Sequence, residues 1–472
     1  MQIEMKIPIH IGLFGHIDSG KTKIAEVLSE IISTAGLDAH PQSKERGITI
    51  DLGFTSFTID KYLVTLVDGP GHADLIRISA SSVEIIDCAL LIIDINKGPQ
   101  IQTGEHLIML ESLNINKILV ILNKIDLFTS NIEREIEKAR EFFESTSYGF
   151  HVPIFPVSAK EKLGFEELKE GILEIINSLE IKRETEGDII IPIDHHFPIK
   201  GMGAVLTGTI LRGTLKTNQN LIILPLKTSG RVKNLQIFHQ NVNSAKAGDR
   251  VGINIKSLDL NKVYRGCYAT NNPDAFKICK IIDVIVNNNI LFKPRTNFGT
   301  QIHITLGMLT TNGFIYPYYE LDGKKIQTTI TNKEKGFKAI IIFKDKVLIR
   351  KENSIMLLSR LDLPPTTLRI LGASELQEIH KLSPLFYKFK IKRGTIKNLD
   401  HTQGIICTGL AQSVIGAKKI IGKQLEPPFT KVLNPFGTKG AVIVGIKNEK
   451  SKLKKGDSVY LKELRSFHLK NI

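Results

Sequence analysis

A chain of 472 residues with 42% hydrophobic and 24% charged residues has room for about three or four folded domains and excludes a fibrous or disordered protein. Its longest apolar run, Cys88 to Ile95, is broken by Asp94 and is far too short to span a bilayer, while the N-terminus has a strand pattern rather than a signal-peptide core. The net charge of +15 is unevenly spread: residues 1–180 carry about −11, 181–370 about +14 and 371–472 about +12, which suggests an enzymatic head and a body that meets a polyanion such as nucleic acid.

From residue 7 to about 180, short β-rich runs alternate with helical patterns: Ile9 to Phe14, Tyr62 to Val67, Ala89 to Ile93, Ile118 to Leu122 and Pro153 to Val157. That alternation predicts a doubly wound α/β domain, in which ligands sit beyond the carboxyl ends of the strands. After the first strand comes Gly15-His16-Ile17-Asp18-Ser19-Gly20-Lys21-Thr22, followed by Ile24, Val27, Leu28, Ile31 and Ile32 at helical spacing. This reads as a P-loop. Its backbone N–H groups and the next helix N-terminus cradle phosphates, Lys21 reaches the β- and γ-phosphates, and Thr22 ligates Mg²⁺.

Next in order is Arg46-Gly47-Ile48-Thr49-Ile50, where Thr49 can reach a second Mg²⁺ position only while the γ-phosphate is present. Asp68-Gly69-Pro70-Gly71-His72 follows the strand Leu63 to Val67. There Asp68 would hold Mg²⁺ through its hydration shell, Gly71 would offer its N–H to the γ-phosphate, and His72 would orient the attacking water. Asn123-Lys124-Ile125-Asp126 follows another strand. A carboxylate at Asp126 accepts both N1–H and N2–H₂ of guanine, a donor pair that adenine lacks. Ser158-Ala159-Lys160 closes the base site with a backbone N–H.

These five elements resemble those of the translational GTPases of the elongation factor Tu class, whose pattern is GHxDxGKT, RGITI, DxPGH, NKxD and SAK. The resemblance covers residues 7 to about 370 and implies GTP/GDP and Mg²⁺ as cofactors. It also implies an apolar pair, Ile17 and Ile48, beside the path of His72 to the water. Ser19 stands where many bacterial members carry His.

Beyond Glu180 the helical periodicity ends at a charged linker, Lys182 to Asp188, and short strands alternate with turns. The expected domains are residues 1–183 (P-loop GTPase), 184–275 and 276–370 (two antiparallel β-barrels), and 371–472 (a basic, mostly β domain). Three segments resemble the selenocysteine-specific branch of the class in its archaeal form: Ser359 to Ile370, Pro192 to Gly201, and the basic domain after Ile370. The resemblance implies delivery of selenocysteinyl-tRNA to the ribosome at recoded UGA codons. Other expected partners are the mRNA element that marks such codons or a protein bound to it.

The physics of the substrate fits, because a selenol is largely anionic near neutral pH. Arg250 and His195 can supply donors to it, and Asp194 can face the α-amino group. An uncharged serine hydroxyl would leave Arg250 poorly compensated. Two relatives of the same build remain as alternatives, the gamma subunit of initiation factor 2 and the GTPase subunit of a sulfate-activating enzyme. Four scattered cysteines, none at zinc-ligand spacing, suggest reduced thiols in a cytoplasm; a monomer with no membrane partner is expected.

Overall fold

The computed structural model describes residues 6–32, 51–72, 75–199, 203–256, 258–352, 354–447 and 453–469. Ile48 and Thr49 lie outside the described residues.

The head is a seven-stranded sheet in the order β2-β3-β4-β1-β5-β6-β7. Its strands are β1 (Ile7–Gly15), β2 (Ile31–Ile32), β3 (Gly53–Ile59), β4 (Tyr62–Asp68), β5 (Cys88–Asp94), β6 (Ile118–Asn123) and β7 (Ile154–Val157). β4, β1, β5, β6 and β7 run parallel, while β3 pairs antiparallel with β4 and β2 with β3. A parallel sheet is covered on both faces, which explains why its strands are unbroken apolar runs. Ile9, Ile11, Leu13, Leu90 and Ile92 pack on one face with the helices Lys21–Leu28 and Phe165–Asn177. Phe14, Leu91, Ile93, Val120 and Leu122 pack on the other with the helix Ile101–Ser112. Each such side chain taken from water contributes about 1.5–3 kcal/mol, so the strand ends are held on a stiff base.

The second domain is a barrel of six strands. Asn220–Leu224 pairs with both Thr228–Ile237 and Tyr268–Thr270, which closes the sheet through Ile190–Ile199, Gly203–Thr209 and Arg250–Ile255. A second closed barrel follows, in which Thr300–Leu306 pairs with Leu309–Leu321 and with Ile355–Ser359. Its strand Ile370–His380 pairs on both sides, with Phe276–Asn288 and Ile355–Ser359, so the chain leaves this barrel only after residue 380.

The chain divides into two compact units, Met1–Pro317 with Thr329–Lys381, and Tyr318–Thr328 with Leu382–Ile472. The second unit is built on the strands Phe386–His401, Gly404–Thr408, Phe429–Phe436, Ala441–Ile446 and Ser458–Phe467. Its core gathers Ile396, Ile405, Val432, Val442, Val444, Val459 and Leu461. Among the described residues, no helix is long and apolar enough to cross a membrane.

Candidate functional site

The predicted nucleotide residues converge beyond the carboxyl ends of β1, β4, β6 and β7. Gly15 ends β1, His16, Ile17 and Asp18 form the turn, and the buried Ser19 leads to Gly20 at the N-cap of the helix Lys21–Leu28. Gly20 has φ of +97°, and a Cβ there would lie 2.2 Å from Asn123 Nδ2, so only glycine lets the loop pass under Asn123. Lys21 is buried and donates to the carbonyls of Gly15 at 3.1 Å and His16 at 3.0 Å. Burial pushes its pKa down, opposed by Asp68 and Asp18. A desolvated ammonium resting on loop carbonyls is a cation suited to a phosphate.

Thr22 Oγ1 donates to Asp68 Oδ2 at 2.7 Å, which joins the helix start to the end of β4. Gly71 lies on the same wall, where a Cβ would meet Lys21 Nζ at 2.2 Å. His72 follows it, half-buried, and its carbonyl accepts from Leu75 N. The buried Ser19 Oγ and His16 Nδ1 have no hydrogen-bond partner among the described residues, as polar atoms beside a ligand cradle would.

The base-binding elements form one strut. Asn123 Nδ2 donates to Ser19 O at 2.8 Å, and Asn123 Oδ1 accepts from Ala159 N at 3.1 Å. One side chain thereby fixes the P-loop against the Ser158–Lys160 loop. Ser158 Oγ donates to Asp126 Oδ1 at 2.6 Å, which aims that carboxylate. Lys124 takes the left-handed conformation and its ammonium pairs with Asp94 Oδ2 at 2.9 Å, while Lys160 is exposed beside Glu161. Asp94 was not singled out in the sequence, although it breaks the apolar run at the end of β5.

The second-domain trio is brought together as well. Arg250 Nη1 donates to Asp194 Oδ2 at 2.6 Å and Nη2 to Oδ1 at 3.0 Å, and both residues are buried. Thr207 Oγ1 donates to Asp194 Oδ1 at 2.6 Å, and His195 Nδ1 lies 2.9 Å from the same oxygen. The head completes the cluster: Arg250 stacks 3.2 Å from the Phe54 ring centre, and His195 Nε2 lies 3.4 Å from Asp51 Oδ2. Arg265 pairs with Asp51 and donates to Asp194 O. A cavity of about 30 Å³ opens beside Arg250, lined also by Thr207, Gln236, Phe238 and His239.

One point differs from the sequence expectation. Asp194 is spent on Arg250 and Thr207, so the guanidinium is compensated within the protein and its charge alone does not distinguish a selenolate from a hydroxyl. Burial would raise the Asp194 pKa, but Arg250 and His195 hold it far below the carboxylate range. Burial likewise disfavours charged His195, yet its bonds to Asp194 and Asp51 prevail and its pKa stands above the ordinary value.

Two further clusters were invisible in the sequence because their partners lie far apart. Glu105 on the helix Ile101–Ser112 accepts from Arg369 N at 2.9 Å, Nε at 2.9 Å and Nη2 at 2.7 Å, a fully buried pair between head and third domain. Glu84 of the head meets Tyr268 Oη of the second domain at 3.0 Å and Arg350 of the third at 3.7 Å.

Comparison with known proteins matches the elongation factor Tu GTP-binding domain over residues 6–178, elongation factor Tu domain 2 over 203–270, and domain III of the archaeal selenocysteine-specific elongation factor over 277–380. The selenocysteine-specific elongation factor of Methanocaldococcus jannaschii is 39% identical over 476 residues, 99% of each chain. The chain belongs to the selenocysteine-specific elongation factors. The factor is also 37% identical to the mouse selenocysteine-specific elongation factor over 332 residues, 65% of this chain and 56% of the mouse protein. Translation elongation factor SelB of Methanococcus maripaludis, solved with the GTP analogue GppNHp, superposes with a TM-score of 0.80 at 34% identity over 98% of this chain and 99% of that one. The head of the factor is therefore a GTPase domain of the elongation factor Tu type, and GTP and GDP are its nucleotides.

Proposed function

We propose that this factor holds GTP in the cleft described above, carries selenocysteinyl-tRNA in that state, delivers it to the ribosome at recoded UGA codons and lets it go after hydrolysis. In the nucleotide site, Lys21 and the loop N–H groups hold the β- and γ-phosphates, and Asp126 with the Ala159 N–H selects guanine. Thr22 and Asp68 offer hard oxygen donors in contact, a set that suits Mg²⁺, which keeps several waters and leans on substrate phosphates. When bound with the nucleotide, Mg²⁺ would neutralise phosphate charge. Thr49 would join it in the GTP state, and His72, entering between Ile17 and Ile48, would place the water in line.

The observation that carries the reading of the substrate is the cluster Arg250–Asp194–His195 beside a small cavity, completed by Phe54 and Asp51 of the head. Head residues thus touch two members of the cluster, Phe54 the guanidinium of Arg250 and Asp51 the ring of His195, which gives the nucleotide-binding domain a hold on it. The basic second unit supports a contact to RNA phosphates, and four buried, free cysteines are consistent with a reducing, cytoplasmic setting. Selenocysteine mRNA signals are proposed to be read by that unit or by a bound protein.

The test is protection of the aminoacyl ester. With a non-hydrolysable GTP analogue bound, the factor slows hydrolysis of selenocysteinyl-tRNA more than of seryl- or cysteinyl-tRNA, and Arg250→Lys, which keeps the charge but loses the two-pronged pairing, narrows the difference. Equal protection of all three esters would place selectivity elsewhere, and no protection would end the reading as a tRNA carrier.

A further inference from the structure

The nucleotide site holds one ion pair that the roles given above leave unused. Asp94 is the last residue of β5, and in the sheet β5 lies between β1, which runs into the phosphate loop, and β6, which ends at Asn123. A nucleotide with its phosphates on that loop and its base at Asp126 has to cross the end of β5. The side chain of Lys124 spans the same gap. Lys124 has φ of 70°, a conformation that a residue with a side chain adopts only where its surroundings hold it. Its backbone leaves β6 for the short 3₁₀ helix Ile125–Leu127, while its ammonium turns back to β5 and pairs with Asp94 Oδ2 at 2.9 Å.

Asp94 is itself held still. It is buried, and its Oδ1 accepts from Asn96 N at 3.0 Å and Asn96 Nδ2 at 3.2 Å, which leaves Oδ2 to Lys124. The backbone beneath it is fixed as well: Asp94 pairs in register with Asn123, and Ile95 N donates to Asn123 O at 3.0 Å. Burial disfavours the Asp94 carboxylate, yet the bonds from Lys124 and Asn96 prevail and its pKa stands below the ordinary value. A lysine tied by its backbone at the end of β6 and by its ammonium at the end of β5 lacks the rotamer freedom of a surface lysine, and its four-carbon stem becomes an apolar rail. Asn123, tied to Ser19 O and Ala159 N, fixes where that rail starts. A purine gains from an apolar surface against its face, whereas Asp126 reads its edge, so the two contacts differ in kind.

We propose that Asp94 is a positioning residue for nucleotide binding, which clamps the ammonium of Lys124 so that the lysine stem forms a fixed floor under the nucleoside. This rests on the reading of Asn123, Asp126 and Ala159 as the base site. Asp94 acts through Lys124 and reads no base. Its contribution is pre-organisation: a side chain already ordered in the free protein has little freedom left to lose when the nucleotide arrives.

The experiment measures the release rate of GDP, and competition among GTP, xanthosine triphosphate and ATP, in the full-length wild type, Asp94→Asn, Lys124→Ala and Asp94→Asn/Lys124→Ala. Asp94→Asn keeps an oxygen for Asn96 and loses the charge that faces Lys124. It should release GDP about tenfold faster, the worth of one charge-assisted contact, and leave the preference for GTP over xanthosine triphosphate unchanged. The double variant should release GDP no faster than Lys124→Ala alone, because Asp94 acts through the lysine. A merely structural role for Asp94 would make the two losses add, and additive losses would overturn the proposal, as would an unchanged release rate in Asp94→Asn. A wild type that binds ATP as well as GTP would instead overturn the base-site reading beneath it. Should Asp94→Asn fail to fold, Lys124→Met, which keeps an unbranched stem without the ammonium, decides: faster release of GDP supports the clamp, and release at the wild-type rate refutes it.

Discussion

At the residue scale, the base site shows how one carboxylate sets nucleotide choice. Asp126 is aimed by the hydroxyl of Ser158, and Asn123 locks the neighbouring loops together. In Asp126→Asn the side-chain carbonyl still accepts from Ser158, so the loop keeps its shape. Only the second acceptor is exchanged for an N–H that opposes guanine N2–H₂. Loss of charge-assisted bonds at about 1.5–3 kcal/mol each predicts GTP affinity down by about 10²-fold and a gain for xanthosine triphosphate, both measurable by equilibrium competition. Retained discrimination against the xanthine nucleotide would refute the role of Asp126. These residues were legible in the sequence because each follows a strand end and its chemistry is local. Asp194 and Arg250 were legible as a pair of residue types, but not as partners, for 56 positions separate them and only the barrel's pairing register brings them into contact.

At the scale of elements, the helix Ile101–Ser112 joins the nucleotide site to the third domain. His106 lies against Phe14 with ring centres 5.6 Å apart, and burial pushes its pKa down to about 3, so it packs as a neutral ring. The preceding residue, Glu105, takes three bonds from Arg369. The alternation of strands and helices in the head was readable from periodicity, whereas the end of the third domain was not. The strand Ile370–His380 ends in polar residues and has no helical or turn signal that ties it to the strands before it, so the sequence placed the boundary at residue 370, ten residues early. Arg369 lies within the segment Ser359 to Ile370, yet nothing local marks Glu105 as its partner. Arg369→Met strands Glu105 as a buried, uncompensated carboxylate. The expected loss is about 3–5 kcal/mol in the first urea transition, most of it recovered in Glu105→Leu/Arg369→Met. A single substitution without effect would mean that the pair is dispensable to the joint.

For the whole molecule, the charge division between an acidic head and a basic remainder is its widest feature, and the second unit shows where some of the cations go. Glu463 gathers Lys423 at 2.7 Å, Arg465 at 3.0 Å and Lys392 at 3.2 Å, three cations on one carboxylate. Burial opposes ionisation of Glu463, yet the three donors hold its pKa well below the usual range, so the cluster keeps a positive excess. Lys390 on the neighbouring strand and Lys418 and Lys419 on the short helix Val414–Lys418 and its C-cap are exposed, and none of them joins that cluster. Cations left in solvent are available to a phosphate backbone, and each phosphate they neutralise adds to the salt dependence of binding. The affinity of the full-length factor for selenocysteinyl-tRNA, measured from 50 to 300 mM salt, should therefore follow a steep line in log K against log salt. Changing Lys390, Lys418 and Lys419 together to alanine should flatten it by about 0.7–0.9 for each lysine that touches phosphate. A flattened slope with an unchanged preference for selenocysteine over serine would place backbone contact in the second unit and side-chain choice in the barrel. An unchanged tRNA slope with weakened ribosome binding would move the contact to ribosomal or messenger RNA, and no change in either would show that these lysines only solvate the surface.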